Sequence, residues 1–325
     1  MDHKMLIRVF THFPVVINWI AFFLALLMNY FLAYCIRSSE TKHFGNYEKM
    51  MYANMANLLF FSTLHTYLHP IISIERNVLY VFTRLDYFQL PKLSIRILMA
   101  LYGMSYCMSL VLCAVTFIYR FDRVCHSTLQ YFQTRKQMLL WLSIVFSLGL
   151  YWGFCIFHFA QATPYVDKII EKPLEEDFGI AFVNTTYVAA VYEIQNLETG
   201  LTEWNQSGLV MGISFGTIIV GSMVTIFFCV GRVWMKVNTF VHSQIFDKVQ
   251  KELFKAQCLQ ALIPVAVIFI PILSFLALPM LNIHGYTGLS FVSVFIGLYP
   301  VIDPIALMYT ITEYRELMFE LFTSR

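Results

Sequence analysis

A single carboxylate, Asp303, lies within the long apolar stretches of this chain, in the segment Tyr299-Pro-Val-Ile-Asp-Pro304. An ionised group in a hydrocarbon environment is costly unless it faces a partner or water, so this position predicts a functional residue. Pro304 removes a backbone donor, which predicts a kinked or loosened helix. Asp303 and Pro304 therefore belong either to a helix that changes shape or to a static polar anchor for the backbone that the prolines free.

The other groups capable of chemistry do not form a catalytic pattern. The sequence contains no HExxH, GxSxG or phosphate-binding glycine loop, and its seven cysteines show no CxxC spacing. His65 and His69 share a helix face at i, i+4, as a metal pair would, but such histidines also serve as hydrogen-bonded polar residues inside a bundle. We therefore predict no enzyme, no metal site and no cofactor.

Two further groups suggest binding. Tyr119, Arg120 and Phe121 end an apolar stretch, where Arg120 either anchors the helix at the membrane surface or faces a docking partner. Aromatic residues of low local charge predict a cavity for a small, apolar or weakly polar ligand, although aromatics also fill packing positions. The predicted ligand-binding residues are Tyr102, Tyr106, Phe215, Phe275, Tyr286 and Phe291.

The composition identifies the elements that must carry these groups. Of 325 residues, 58% are hydrophobic and 13% are charged, against about 25% charged in globular proteins. The mean hydropathy is +0.65. A soluble domain cannot bury so much apolar surface, so the chain is predicted to be an integral membrane protein. The net charge of +2 argues against a nucleic-acid partner.

Seven stretches are long and apolar enough to cross about 30 Å of hydrocarbon as helices. They predict an all-α, seven-transmembrane helix bundle that forms a single domain. The run from Phe178 to Tyr192 is too short and too polar for an eighth span, and we expect a packed helix or hairpin there. The predicted spans are 14–36, 50–72 (the most polar), 93–118, 138–159, 209–230, 257–278 and 288–311.

The charges orient these spans. Fourteen of the 22 lysines and arginines fall in segments 37–50, 119–137 and 231–256 and the C-terminal tail, which places those segments in the cytoplasm and the N-terminus outside. The long 160–208 loop, predicted to be extracellular, is acidic and contains the sequons Asn184-Thr-Thr and Asn205-Gln-Ser. Either sequon is a candidate for glycosylation, and either can equally go unused.

Four segments resemble one receptor family. They are Phe44-Gly-Asn-Tyr-Glu-Lys-Met50, Phe117-Ile-Tyr-Arg-Phe121, Leu253-Phe-Lys-Ala-Gln-Cys-Leu-Gln-Ala-Leu-Ile-Pro264, and Tyr299-Pro-Val-Ile-Asp-Pro304 continuing through Tyr314-Arg315. In combination they resemble nematode serpentine chemosensory receptors of the Str type.

The resemblance implies a G-protein-coupled receptor in the plasma membrane, on the sensory cilia of chemosensory neurons. It places Tyr119-Arg120-Phe121 where rhodopsin-like receptors keep an acidic-Arg-Tyr triplet, and Asp303-Pro304 where they keep Asn/Asp-Pro. The chain departs from that pattern at three places. No acid precedes Arg120, and the 160–208 loop has no cysteine for the usual disulfide. The tyrosine after Pro304 comes at Tyr309, five residues on rather than three.

The leading functional prediction is therefore a chemoreceptor that binds a small odorant or metabolite and activates a heterotrimeric G protein. A ligand-gated channel of the insect-odorant-receptor kind, with its N-terminus inside, is an alternative. A small-molecule transporter is a second, although no internal repeat is visible. The sequence does not specify the ligand, the G protein or the oligomeric state.

Overall fold

The computed structural model describes residues 13–38, 47–87, 90–125, 131–132, 134–195, 202–239, 258, 262–263, 265–281 and 290–323. Helices occupy the predicted apolar stretches. The α-helices are α1 (Phe13–Ser38), α2 (Tyr47–Leu68), α3 (Lys92–Cys125), α4 (Arg135–Phe159), α5 (Pro164–Glu176), α6 (Gln206–Thr239), α7 (Ile270–Met280), α8 (Ser290–Thr310) and α9 (Thr312–Thr323).

Five of the described helices are long and apolar enough to cross a membrane: α1, α3, α4, α6 and α8. Helix α2 is more polar, as expected for the weakest predicted span. In the described part of the sixth span, a π-helical turn, Val265–Phe269, leads directly into α7. These seven helices form one bundle around α3, which contacts α2, α4 and α6. The predicted all-α, seven-transmembrane fold class is confirmed.

Three helix ends differ from the predicted boundaries by four residues or more. Helix α3 continues to Cys125, past the predicted end at 118. Helix α2 ends at Leu68 rather than at 72, because His69 adopts a left-handed φ of 45° and Pro70 follows. The next residues form a strand instead of a last helical turn. Helix α6 continues to Thr239, past the predicted end at 230.

A three-stranded antiparallel sheet was not predicted. It consists of β1 (Ile71–Glu75), β2 (Val78–Arg84) and β3 (Thr185–Val191), in that order, with Val81 of β2 opposite Val188 of β3. The β1–β2 hairpin connects α2 to α3, and β3 lies between α5 and α6. The run expected to be a packed helix or hairpin thus becomes a strand in a sheet formed by two separate loops. A short ladder of β4 (Glu193–Gln195) and β5 (Thr202–Trp204) precedes α6.

Both faces of this sheet are buried. The residues on one face of the sheet, such as Leu79 and Ala190, pack against the helix bundle. The residues on the opposite face, such as Tyr80 and Phe82, pack against the apolar face of α5, which includes Ile170. Helix α5 is well specified locally, because Thr163 caps its N-terminus and a proline occupies its first turn. The sheet and α5 together cover one end of the bundle, called here the sheet end.

Candidate functional site

An apolar cavity of about 120 Å³ lies beneath the sheet. The sheet contributes its bundle-facing residues, including Val81 and Ala190, and helices α3, α4, α6, α7 and α8 contribute the walls. An apolar cavity of similar size, about 150 Å³, is known to stay dry and to bind benzene. The space therefore suits an uncharged molecule with few non-hydrogen atoms.

Aromatic side chains form two walls of this cavity. Trp152 of α4 and Phe215 of α6 stack face to face, with ring centroids 3.8 Å apart and an interplanar angle of 2°. On the other side, Tyr102 of α3 stacks on Phe61 of α2 at 5.0 Å. Aromatic pairs of this kind contribute about 0.5–1.5 kcal/mol beyond burial, and they hold the helices that carry them at a defined spacing.

The predicted ligand residues divide into three groups. Tyr102, Tyr106 and Phe215 line the cavity. Phe275 is buried but is not a lining residue; its neighbour Leu276 is. The remaining two predictions are not resolved by geometry: Tyr286 lies outside the described residues, and Phe291 lies in α8 with a side chain outside the described set.

Sequence reasoning missed several lining residues, notably Trp152 and the strand residues of the sheet. A tryptophan at the centre of an apolar span is a usable signal, because tryptophan otherwise concentrates at membrane interfaces. No comparable signal marks the strand residues, since both faces of their sheet are apolar.

Around the histidine pair, the described residues bring together no group of three or more potential metal ligands. Instead, Nδ1 of His65 shares a hydrogen bond of 3.1 Å with the hydroxyl of Tyr102. Nδ1 of His69 faces the side-chain amide of Asn18 at 3.4 Å. These contacts agree with the second interpretation of the pair, as hydrogen-bonded polar residues of the bundle.

At the end of the bundle opposite the sheet, Tyr119, Arg120 and Phe121 lie in the last turns of α3. Arg120 is buried, with 8% of its surface exposed. The ring of Tyr119 meets Phe132 edge to face at 5.2 Å, and Phe121 lies 5.8 Å from Phe228 of α6. The two aromatic residues therefore pack α3 against its neighbours on both sides of the arginine.

Asp122 follows this triplet and is also buried. Its Oδ2 accepts a hydrogen bond of 3.0 Å from the backbone N–H of Tyr131, in the segment that leads to α4. This carboxylate thus ties the residues just before α4 to the end of α3. Phe132, next to Tyr131, stacks on Trp141 of α4 at 5.2 Å and continues the same packing.

Asp303 is buried in α8, with 3% of its surface exposed, and Oδ2 accepts a hydrogen bond of 3.0 Å from Nδ2 of Asn54 on α2. The residue that satisfies the backbone at the prolines is a different one. Pro304 cannot donate to the carbonyl of Pro300, and Nδ2 of Asn29 on α1 supplies that hydrogen bond at 3.1 Å. Asp303 thus links α8 to α2, and Asn29 links α8 to α1.

The two sequons occupy different surroundings. Asn184 is exposed in the 3₁₀ turn Phe182–Asn184 that precedes β3. Asn205 is half-buried at the start of α6, where Nδ2 donates to the carbonyl of Val191 at 3.0 Å and Oδ1 accepts from the N–H of Ser207 at 3.2 Å. Its amide therefore caps a helix and secures it to β3.

The seven cysteines, all of them described, are free. The 160–208 loop contains no cysteine, so no disulfide joins it to α3. Strand β3, which lies in this loop, is held by other contacts. These are its seven-residue pairing with β2, its packing on α5, and the Asn205 cap.

Comparison with known proteins identifies matching sequences and folds. Residues 15–319 match the family model described as the serpentine type 7TM GPCR chemoreceptor Str. The Caenorhabditis elegans serpentine receptor class r-10 is 25% identical over 285 residues, covering 86% of this chain and 82% of the relative. The G-protein coupled receptor str-33 of the same organism is 23% identical over 308 residues, covering 93% of this chain and 88% of that receptor.

Among solved structures, squid rhodopsin has a similar fold. The TM-score is 0.66 at 10% sequence identity, and the alignment covers 99% of this chain and 86% of the rhodopsin chain. At that identity the likeness concerns the arrangement of the helices alone.

Proposed function

The chain belongs to the Str family of serpentine seven-transmembrane G-protein-coupled chemoreceptors, and we propose that it detects a small apolar ligand in the cavity beneath the sheet and activates a heterotrimeric G protein at the opposite end. The observation that carries this proposal is the cavity itself, which is bordered by five helices and the sheet and lined almost wholly by apolar atoms. Apolar pockets between the helices of a bundle are typical ligand sites.

The ligand acts by favouring one of two bundle conformations. Trp152 and Phe215 join α4 to α6, and Tyr102 joins α3 to α2 through Phe61. A ligand that fills the cavity better in one arrangement of these helices shifts the equilibrium toward that arrangement by its difference in affinity. The consequence of this shift is a rearrangement of the helices at the end of the bundle opposite the sheet.

The opposite end supports a docking role. Arg120 lies there between two aromatic contacts that tie α3 to α6 and to the segment before α4. Helix α8, which contains two prolines, reaches the same end and is followed by α9. Movement of these helices would uncover Arg120 for the G protein, which is the role proposed for Tyr119-Arg120-Phe121.

For orientation, we propose that the sheet end is extracellular and that the receptor resides in the plasma membrane of a chemosensory neuron, in its sensory cilium. The distribution of lysine and arginine supports this orientation, as does the acidic 160–208 loop with its sequons. An accessibility label on the N-terminus of intact cells checks it, and a cytoplasmic N-terminus would favour the channel alternative instead.

The decisive experiment measures G-protein activation in cells that express the receptor and are exposed to a panel of small volatile molecules. Ala190→Phe fills the cavity from β3, so we expect at least tenfold loss of potency for any agonist. Val220→Phe, on the exposed surface of α6, is the matched control and should respond normally. Equal potency of the two variants would contradict the assignment of the cavity.

The G-protein side is tested separately with Arg120→Ala. We expect this variant to reach the cell surface and to bind agonist, but to activate no G protein. Signalling that persists at the wild-type level would contradict the role proposed for Arg120.

A further inference from the structure

One wall of the apolar cavity is formed where Ile156 of α4 packs against the α-carbon of Gly103 on α3. Both residues line the cavity, together with Trp152 of α4. A Cβ atom built on Gly103 would lie 2.2 Å from Cδ1 of Ile156, far closer than the 3.5–4.0 Å or so at which two carbon atoms make contact. The δ-methyl group of Ile156 therefore already fills the space that a side chain at position 103 would take.

A single methyl group occupies this space. The next nearest atoms to the same Cβ position are Cδ1 of Trp152 at 3.6 Å and Cγ1 of Ile156 at 3.7 Å, which are ordinary contact distances. Valine lacks only the δ-methyl group of isoleucine and keeps its branched Cβ, with the same preferred rotamer in a helix. The substitution Ile156→Val would therefore enlarge the cavity by about one methyl group, on the side that faces Gly103.

The two helices that form this wall are held at a fixed distance. Gly153 of α4 lies against the backbone of α3, where a Cβ atom on the glycine would be 3.0 Å from the carbonyl oxygen of Ala100. Glycine at such a contact lets two membrane helices pack backbone against backbone. Ala100 and Gly153 each lie three residues before Gly103 and Ile156. The position of Ile156 over Gly103 is therefore set by backbone contacts, and a ligand cannot widen the wall by moving side chains alone.

The cavity leaves little room beyond this wall. Its volume of about 120 Å³ is below the roughly 150 Å³ of a cavity that binds benzene. We propose that the contact between Ile156 and Gly103 sets the upper size limit of the ligand, and that the receptor takes compact hydrocarbon-like molecules of about six non-hydrogen atoms. A ligand with one further carbon has to displace the δ-methyl group of Ile156.

This inference rests on the proposed function, and the test separates the two. The purified receptor in lipid nanodiscs is titrated with benzene and with toluene, which is larger by one methyl group. The rise in unfolding temperature gives an apparent affinity for each compound. The ratio of the two affinities is compared between variants, because the partition of each compound into the lipid is the same for all of them.

We expect Ile156→Val to raise the affinity for toluene relative to benzene by at least about tenfold over the wild type, the usual discrimination of one methylene in a tight apolar pocket. The matched control is Ile144→Val, which deletes the same methyl group on the lipid-facing surface of α4, where 38% of Ile144 is exposed. This control should keep the wild-type ratio.

The decisive variant combines Ile156→Val with Gly103→Ala. The added Cβ then takes the place of the deleted methyl group, so the wild-type ratio should return. Gly103→Ala alone places two groups in one space and should yield less folded receptor than the double variant. The two substitutions are thus expected to be strongly non-additive, as for residues in direct contact.

Three outcomes contradict the proposal. If Ile156→Val binds benzene with the wild-type ratio, the size limit is overturned while the ligand cavity stands. If the double variant keeps the ratio of Ile156→Val, the added room does not lie at Gly103. Ala190→Phe, with a filled cavity, should bind neither compound. If it responds as the wild type does, the compounds do not bind in the cavity, and the proposed function fails together with the size limit.

Discussion

Nδ2 of Asn29 on α1 donates a hydrogen bond of 3.1 Å to the carbonyl of Pro300 on α8, two residues 271 positions apart. The carbonyl needs this donor because Pro304, four residues on, has no N–H to continue the helical ladder. Within hydrocarbon no water replaces a missing donor, so a proline in a membrane helix requires a neighbouring side chain. Helix α1 is therefore a structural part of the kink in α8 and not merely its neighbour.

We expect Asn29→Leu to lower the free energy of unfolding by about 1–3 kcal/mol, because it leaves the Pro300 carbonyl buried without a donor. Thermal unfolding of the purified receptor measures the effect. Tyr30→Leu is the control, since Tyr30 lies next along α1 with 68% of its surface exposed. If the two variants unfold at the same temperature, the hydrogen bond from Asn29 does not stabilise the kink.

The N-terminus of α6 approaches β3 so closely that only glycine fits. A Cβ atom on Gly208 would lie 1.8 Å from the carbonyl oxygen of Val191, and backbone atoms cannot rotate away as a side chain can. Gly208→Ala should therefore separate α6 from the sheet and cost more than about 3 kcal/mol, which we expect to appear as loss of folded receptor.

Gly216→Ala is the matched control, on the same helix with nothing within 4 Å of the added carbon. It should be neutral or stabilise the receptor by about 0.5–1 kcal/mol, because alanine favours a helix more than glycine does. Fluorescence-detected size-exclusion chromatography distinguishes the two. Equal yields would mean that α6 does not depend on its contact with Val191.

Buried tyrosines of the sheet predict a loss of stability in alkaline solution. Burial raises the pKa of Tyr80 to about 12. Burial and the nearby Asp167 carboxylate, to which its hydroxyl donates, also raise the pKa of Tyr187. The unfolded chain releases these protons near pH 10, whereas the folded chain keeps them, so the free energy of unfolding falls as the pH rises above about 10.

Unfolding temperatures at about pH 8 and about pH 11 test this linkage. The fall between the two should be smaller for Tyr80→Phe and Tyr187→Phe than for the wild type. Tyr131→Phe, which removes an exposed hydroxyl at the opposite end, should follow the wild type. An identical fall for all four proteins would show that the sheet tyrosines do not couple folding to pH.

The surroundings of the two sequons predict that only Asn184 carries a glycan. Asn184→Gln should abolish the mobility shift that a glycosidase removes. Ser207→Ala destroys the other sequon without replacing Asn205, and it should leave the shift unchanged. Asn205→Gln should instead lower stability by about 0.5–2 kcal/mol, because Asn205 caps α6 and bonds to Val191. A smaller shift in Ser207→Ala would show that Asn205 is modified.

The membrane-spanning helices could be predicted from the chain alone, but the sheet could not. The segment with Leu79, Tyr80 and Val81 is apolar at consecutive positions because one face meets the bundle and the other meets α5. A strand buried on both faces shows no alternation of apolar and polar residues. Its partner β3 is separated from it by α3, α4 and α5, so no local turn signal connects them.

The sequence predicted an aromatic, apolar ligand cavity, but it identified only some of the residues that line it. Aromatic residues marked Tyr102, Tyr106 and Phe215, which line the cavity, and also Phe275, which does not. Residue type does not distinguish these cases, because a phenylalanine is equally stable against lipid, against a neighbouring helix or beside a cavity. Trp152 also lines the cavity and went unrecognised, although a tryptophan inside an apolar span is a usable signal.

What the sequence by itself determined is the set of helices and the location of the unusual polar residue, Asp303. Hydrocarbon admits only backbone that satisfies its own hydrogen bonds, so an apolar run of sufficient length must be helical whatever surrounds it. What only the tertiary structure decided is which polar groups meet: Asp303 with Asn54, the Pro300 carbonyl with Asn29, and Asn18 with His69. Such pairs depend on the rotation and spacing of helices, which are set by packing between distant segments and by no local feature of the chain.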